Sequence, residues 1–512
     1  MFFRVVLLLM CFWCVDVHGA ILKDGKYGFA AIPQPTQKLS GLTKGSKRRL
    51  AKGGVKVWDR RWHRKMKRSR FMPLSFDFGG ALGSELIDND VYLGIILGAE
   101  VRYGDFAGGF QIPLRFLLYD GPPSQEPERG IFSIRKEDWD HWTDFIKVIR
   151  FLSYGKKGEP FYLRAGQLTS STIGHGTLLY LYTNTLQLNH FHLGIEGDFH
   201  SPYGGAEWVL NSLLQPRVLG ARGYVRPFTF VDPHSYLTRL SIGVSTAIDF
   251  QAPYTVKKLV TSFDPSASDD QVVELFRTLG SLGIDIDFAL LRRRHIDLTP
   301  YVDVNMLLGY GMGVHAGVLL EGRMFLAFQN VLAFRARLEY RMVGPGYLPQ
   351  YFNTLYDVQK YQQNIIDPAT GNSSLVPKLF GLDTMRTNTL HGFYGEFVLA
   401  WRPWVQLSVF VDDYIGPRNS NMTVQLQIPT LRYVQFAALY TKRGFEGLSD
   451  YVMLDERSLL SVDLRVPIWK YFSIIGRFHR RWQAKLTPSG SLRYDSVNQI
   501  SLLFGMQYRK NP

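Results

Sequence analysis

Three stretches of this chain carry side chains whose types and spacing suit chemistry. In "LTSSTIGHGT" the residues Ser170, Ser171 and His175 fall within six positions, and a hydroxyl beside an imidazole is the pairing with which a hydrolase makes a nucleophile. The stretch supplies no orienting acid and no oxyanion hole, and the chain has no HExxH, nucleophile elbow or phosphate-binding glycine loop. Glycines on both sides of His175 suit a tight turn, so Gly174–Thr177 reads as a loop of unassigned role and the protein is expected not to be an enzyme. His190 and His192 share one face of a strand at spacing two, as metal ligands would. Plain polar lining accounts for them as well, and neither a metal nor a cofactor is expected. The third stretch, "LAFRARLEYRM", sets Arg335, Arg337, Glu339 and Arg341 against Leu332, Phe334, Ala336, Leu338, Tyr340 and Met342. In a strand these two sets lie on opposite faces. A second charged row, Arg477, His479, Arg481 and Lys485, occupies the penultimate segment, and Asp285, Asp287 and Asp303 supply the opposite sign upstream.

Rows of this kind need strands to hold them. From Phe71 onward the hydrophobic period is two and keeps returning: Val91, Leu93, Ile95 and Leu97 alternate with Tyr92, Gly94, Ile96 and Gly98, and Ile242, Val244 and Ile248 alternate with Ser241, Gly243 and Asp249. The final stretch, "QISLLFGMQY", places Ile500, Leu502, Phe504, Met506 and Tyr508 on one face. Many segments run eleven residues or more, near the 9 to 11 with which a tilted strand crosses a bilayer. Several apolar faces end in an aromatic, among them Tyr103, Phe250, Tyr340 and Trp401, as a girdle at a membrane boundary requires. With 46% apolar residues and a mean hydropathy of −0.08, the chain has no window of 18 apolar residues for a spanning helix. About twenty segments can be marked. The segments around 206–226 are weak, so eighteen is the alternative. Long connections (120–141, 169–187, 251–281, 343–386, 442–457) follow odd-numbered segments, and short ones (104–108, 155–159, 402–403, 468–470) follow even-numbered ones. That parity predicts an all-β, up-and-down antiparallel transmembrane β-barrel of about 18–20 strands over 71–508.

The run of amphipathic strands and the closing aliphatic-aromatic strand resemble bacterial outer-membrane β-barrel proteins of the large, porin-like class. The resemblance implies a channel for small hydrophilic solutes or ions. Arg335, Arg337, Glu339, Arg341, Arg477, His479 and Arg481 would line a constriction, with Asp285, Asp287 and Asp303 opposite them across the lumen, setting up a transverse field. On that reading, replacing Arg335, Arg337 and Arg341 by Glu shifts selectivity toward cations at no cost in stability. The competing reading pairs these charges with neighbouring strands, for example with Glu321 or Glu396. A non-conducting structural or adhesive envelope barrel, working through its long loops, is the alternative function. A barrel-embedded hydrolase is a minor one.

The ends of the chain add targeting expectations. "MFFRVVLLLMCFWCVDVHGA" reads as a signal peptide over 1–19, and it contains both cysteines, Cys11 and Cys14. The mature chain would then have neither thiol nor disulfide. Fourteen Lys or Arg face only Asp59 between Lys38 and Arg70, so most of the formal net charge of +15 sits in the tail 20–70. Within it Val55, Trp58, Trp62 and Met66 recur at helical spacing, with Arg60, Arg61, Arg64 and Lys65 around them, so 55–68 reads as a helix docking on anionic lipid or peptidoglycan. Nucleic acid is not an expected partner. Phe504 and Tyr508 would complete the signal read by the barrel-assembly machinery, with 509–512 as a short extension. The expected location is the outer membrane, with both termini periplasmic.

Overall fold

In the computed structural model the alternation is realised as the staves of one closed barrel. The structure describes residues 74–510 apart from 88–89, 122–129, most of 136–147, 185–192, 257–272, 294, 326–330, 362, 367–372, 385–387, 403, 416–419, 429–433, 456, 470 and 487–491. The expected signal peptide, the tail with its docking helix (Trp58, Trp62, Arg60, Arg61, Arg64, Lys65) and the pair His190 and His192 lie outside the described residues, as do the side chains of Arg481 and Tyr508.

Twenty antiparallel strands follow one another around the wall. The first eight are β1 (Leu74–Ile87), β2 (Asp90–Tyr103), β3 (Phe106–Tyr119), β4 (Ile149–Tyr154), β5 (Phe161–Gly166), β6 (Gly194–His200), β7 (Gly204–Leu210) and β8 (Val218–Val225). Long staves follow: β9 (Leu240–Val256), β10 (Val273–Phe288), β11 (Ile296–Leu307), β12 (Gly311–Phe325), β13 (Val331–Val343) and β14 (Leu390–Arg402). The last six are β15 (Val405–Tyr414), β16 (Ser420–Ile428), β17 (Gln435–Phe445), β18 (Ser458–Pro467), β19 (Phe472–Leu486) and β20 (Leu492–Lys510). The weak region is thus two true strands, β7 and β8, and the number is twenty rather than eighteen. Closure is made by β20 on β1, with Phe504 opposite Leu82 and pairing continued past position 508 to Lys510 opposite Phe76. The wall therefore closes on itself and leaves no terminal edge strand, as a wall facing hydrocarbon requires.

The outer face is apolar. Leu338, Phe393, Ile284 and Val302 are 64%, 58%, 52% and 46% exposed, while their inward neighbours Arg337, Asp285, Asp303 and Glu396 are buried. Tyr103, Tyr340 and Trp401 also face outward near strand ends, whereas Phe250 faces outward within β9, which continues to Val256. The expected parity holds: connections 120–148, 167–193, 257–272, 344–389 and 446–457 gather at one end, and the chain enters and leaves the barrel at the other. The connection expected over 251–281 is shorter because β9 and β10 extend into it, to Val256 and from Val273.

Candidate functional site

Two of the long connections fold into the barrel rather than away from it. The first, 167–193, is described to Asn184, and the second is 344–389. Phe352 and Asn353 pair in parallel with Leu179 and Tyr180, and Thr354 donates its hydroxyl to the Leu181 carbonyl at 2.8 Å. Leu168, Leu179, Tyr182, Tyr351, Phe352 and Tyr356 are each at most 1% exposed. They pack on Ala247, Leu279, Leu307 and Val343, which face inward near the long-loop ends of β9, β10, β11 and β13. The fit depends on missing side chains in the wall. A Cβ on Gly194 would stand 2.7 Å from Leu168, and one on Gly220 would stand 2.9 Å from Leu179, so any other residue there would push these leucines aside. Lys378, in the short helix Lys378–Thr384 of the second loop, donates to the Tyr351 carbonyl at 2.7 Å and lies over the Tyr351 ring.

Below this apolar core the loops rest on charge. Tyr180 donates to Glu396 at 2.6 Å, Tyr182 to Asp357 at 2.9 Å and Tyr356 to Asp249 at 2.6 Å. Thr177 donates to Asp303 at 2.8 Å, and the His175 ring nitrogen meets the same carboxylate at 3.0 Å. His175 also stacks on Tyr301 with ring centres 4.0 Å apart, and its carbonyl accepts from Arg337. Burial lowers the His175 pKa, but the Asp303 carboxylate outweighs burial and leaves it above the ordinary value. The Gly174–Thr177 turn is thus a foot planted on the wall. Ser171 donates to Glu196 at 2.7 Å instead of to His175, so the hydrolase pairing is not formed by these two residues.

The arginine row of β13 faces inward, as its pattern requires, but it is paired within the wall. Arg335 lies 3.2 Å from Glu396, Arg337 lies 2.9 Å from Glu396 and 3.3 Å from Glu339, and Arg341 lies 2.7 Å from Glu339. Arg335 also approaches Glu321 at 4.0 Å. Register makes this possible, since Arg337 stands directly opposite Glu396 on β14. Tyr180 and Tyr394 stack on the Arg337 guanidinium at 4.6 and 4.5 Å. Two expectations are corrected here. Asp285, Asp287 and Asp303 do not stand across the lumen from the arginines of β13; they lie on β10 and β11, two or three staves away along the same wall. Substituting the arginines by Glu also cannot be free of cost, because Arg337 and Arg341 are 2% and 0% exposed, with buried carboxylates against them.

The acidic cluster has a cation of its own. Arg222 of β8 binds both oxygens of Asp285, at 2.9 and 2.5 Å, and reaches Glu207 at 3.3 Å and Asp287 at 3.5 Å. His175, Asp285 and Asp303 bring ligand atoms within 4.8 Å of one another, the spacing of a metal site. The Arg222 guanidinium on Asp285 adds a fixed positive charge beside them. Nothing in the spacing of Arg222 marked it beforehand; only the pairing of β8 with β9 and of β9 with β10 brings it to Asp285.

The second charged row is different. Arg477 is 22% exposed at its side chain and meets Asp463, 14% exposed, at 3.8 Å. His479 hydrogen-bonds Ser461 on β18. These groups face inward opposite the outward Ile500 and Leu502 of β20, which are 52% and 45% exposed.

No protein-family model and no curated protein matches the chain. Among solved structures it is similar to a mutant of the ferric enterobactin receptor of Pseudomonas aeruginosa (8% identity, 85% of this chain and 81% of that one, TM-score 0.34). It is likewise similar to OccK11 of Pseudomonas aeruginosa (9%, 86% and 96%, 0.30) and to Wzi, a carbohydrate-binding barrel involved in group 1 capsule assembly in Escherichia coli (9%, 88% and 88%, 0.31).

Proposed function

We propose that the protein is an outer-membrane channel that passes small hydrophilic solutes or ions along one sector of its lumen. The observation that supports this most is the division of the inner wall. On β13 and β14 Arg337, Glu339, Arg341 and Glu396 are buried beneath inward-folded loops, whereas on β18 and β19 Arg477 and His479 remain part exposed to the interior. A twenty-stranded barrel is wide enough to hold water beside such loops. Polar groups on the uncovered sector then select what passes. The apolar outer face and its aromatic ends favour residence in a membrane, with the long connections toward the cell surface and both chain ends toward the periplasm. The purified full-length chain, reconstituted in planar bilayers, is expected to give discrete single-channel currents, and Arg477→Glu is expected to move their selectivity toward cations.

A non-conducting envelope barrel is the second reading. The dry core formed by Leu168, Tyr182, Phe352 and Tyr356 inside the barrel favours it. Folded protein that inserts into bilayers without current supports that reading and overturns the channel.

A further inference from the structure

Lys378 and Arg443 meet inside the barrel, and among the described residues neither forms an ion pair. Lys378 opens the short helix Lys378–Thr384 of the second inward loop. Its side chain is 1% exposed and ends against neutral groups: the Tyr351 carbonyl at 2.7 Å, the Gln359 amide at 3.4 Å, and the rings of Tyr351 and Tyr356 at 4.7 and 5.4 Å. Arg443 is half-buried near the long-loop end of β17, the stave beside β18 of the uncovered sector. It reaches the same loop from the wall, at Gln359 of the short helix Tyr356–Gln359.

Gln359 stands between the two cations and cannot satisfy both. In one orientation its amide oxygen accepts from Lys378 at 3.4 Å; turned over, the oxygen accepts from Arg443 at 2.9 Å. The amide has one oxygen, so in either orientation one cation faces the NH2 group, a donor against a donor. The carboxylates of the region are engaged elsewhere. Asp357 holds Lys360 at 3.2 Å and accepts from Tyr182, and Asp249 accepts from Tyr356. Asp450 and Asp455 hold Arg457 at 2.5 and 2.6 Å. Asp412 stands two staves from Arg443 in register and accepts from Asn421, which lies between them. Burial and the neighbouring guanidinium hold the Lys378 amine well below the ordinary lysine range. Like charges shut away from water without a counter-charge are unfavourable. What the arrangement lacks is one acceptor that meets both cations. The contrast is with β13, where each arginine has a carboxylate.

We propose that Lys378, Arg443 and Gln359 bind the oxyanion group, phosphate or carboxylate, of a small solute entering at the long-loop mouth, a proposal that deepens the channel reading above and rests on it. The guanidinium offers planar paired donors to two oxygens of the anion, and the ammonium adds a point charge. The Gln359 NH2 group donates to the same oxygens. The test is isothermal titration calorimetry of the full-length folded barrel in neutral detergent micelles, with sodium phosphate and sodium acetate in turn, and sodium chloride as competitor. Saturable binding of at least one oxyanion is expected, and the tighter of the two names the group. Arg443→Gln and Lys378→Met should each weaken it about tenfold or more while keeping heat-modifiable gel mobility. Gln359→Glu builds a carboxylate in between the cations, so it should abolish oxyanion binding and raise the unfolding midpoint. Absence of saturable binding in the wild type overturns the site, as does a lowered midpoint in Gln359→Glu. Chloride that competes at equal concentration overturns the oxyanion in favour of general charge attraction. Conductance separates the two readings: oxyanion binding by a barrel that gives no current supports the site and overturns the channel, whereas current without oxyanion binding supports the channel and overturns the site.

Discussion

Strands β13 and β19 carry nearly the same inward pattern, Arg335-Arg337-Glu339-Arg341 against Arg477-His479-Arg481, and their described side chains meet opposite surroundings. Most of the first row is sealed: Arg337, Glu339 and Arg341 are at most 2% exposed, and Tyr180 of an inward loop lies on Arg337. In the second, Arg477 retains 22% exposure and a single carboxylate at 3.8 Å. A period-two charge row therefore says which face of a strand avoids lipid. Whether that face meets water or protein depends on where the connections go.

The largest effect expected from this comparison is on stability. Glu396→Ala takes the nearer carboxylate from both Arg335 and Arg337, leaving them Glu321 at 4.0 Å and Glu339 at 3.3 Å, and breaking a buried pair costs about 3–5 kcal/mol. Asp463→Ala on the solvated row should cost less than ~1 kcal/mol. Urea unfolding in vesicles, followed by gel mobility, measures both, and similar costs would erase the distinction between the rows. Next come the loop anchors. Tyr180→Phe and Tyr356→Phe each remove a hydrogen bond to a carboxylate, worth about 1.5–3 kcal/mol, and are expected to loosen the inward loops and raise or destabilise the current level. Unchanged currents in both variants would mean that the loops do not narrow the path.

Acidity sharpens the same contrast. Because the folded pKa of His175 is raised, its pairing with Asp303 contributes stability that is fully present below the ordinary histidine value of about 6.5 and is lost as pH rises through the folded value. Current noise from loop motion should grow with rising pH above that point and become independent of pH in His175→Gln. A wild type that is quieter at high pH contradicts the assignment. The smallest effect expected is on stability in Arg477→Gln, which removes one partly exposed ion pair while the unfolding midpoint moves little. A large loss of stability would place Arg477 in a sealed site like that of Arg337.

Much of the barrel was legible in the sequence, because a lipid-facing wall imposes a strict local period and an even strand count returns the chain to its starting side. The alternation of Ile500, Leu502, Phe504 and Met506 needs no tertiary information. The inward loops were harder to read, since a loop has no period and its destination is set by what it packs on. Two signals were nevertheless present: Tyr347, Tyr351, Phe352 and Tyr356 crowd aromatics into a supposed surface loop, and Leu279, Leu307 and Val343 are apolar at positions whose neighbours mark them as inward. The ion pairs were less legible still. Arg337 meets Glu396 only in one register of β13 on β14, and a slip of two residues would leave the hydrophobic pattern intact while changing every partner.

The division of the lumen is tested most directly by charging it during conduction. Cysteines can be placed one at a time by Arg477→Cys and Val343→Cys, the latter at a wall position fully covered by the loops, because the chain's own cysteines, Cys11 and Cys14, lie in the N-terminal stretch read as a signal peptide. A negatively charged, water-soluble thiosulfonate is then added to single channels of each variant. A stepwise change of current is expected in Arg477→Cys and none in Val343→Cys. Equal responses of the two variants, or a response of Val343→Cys alone, would contradict it.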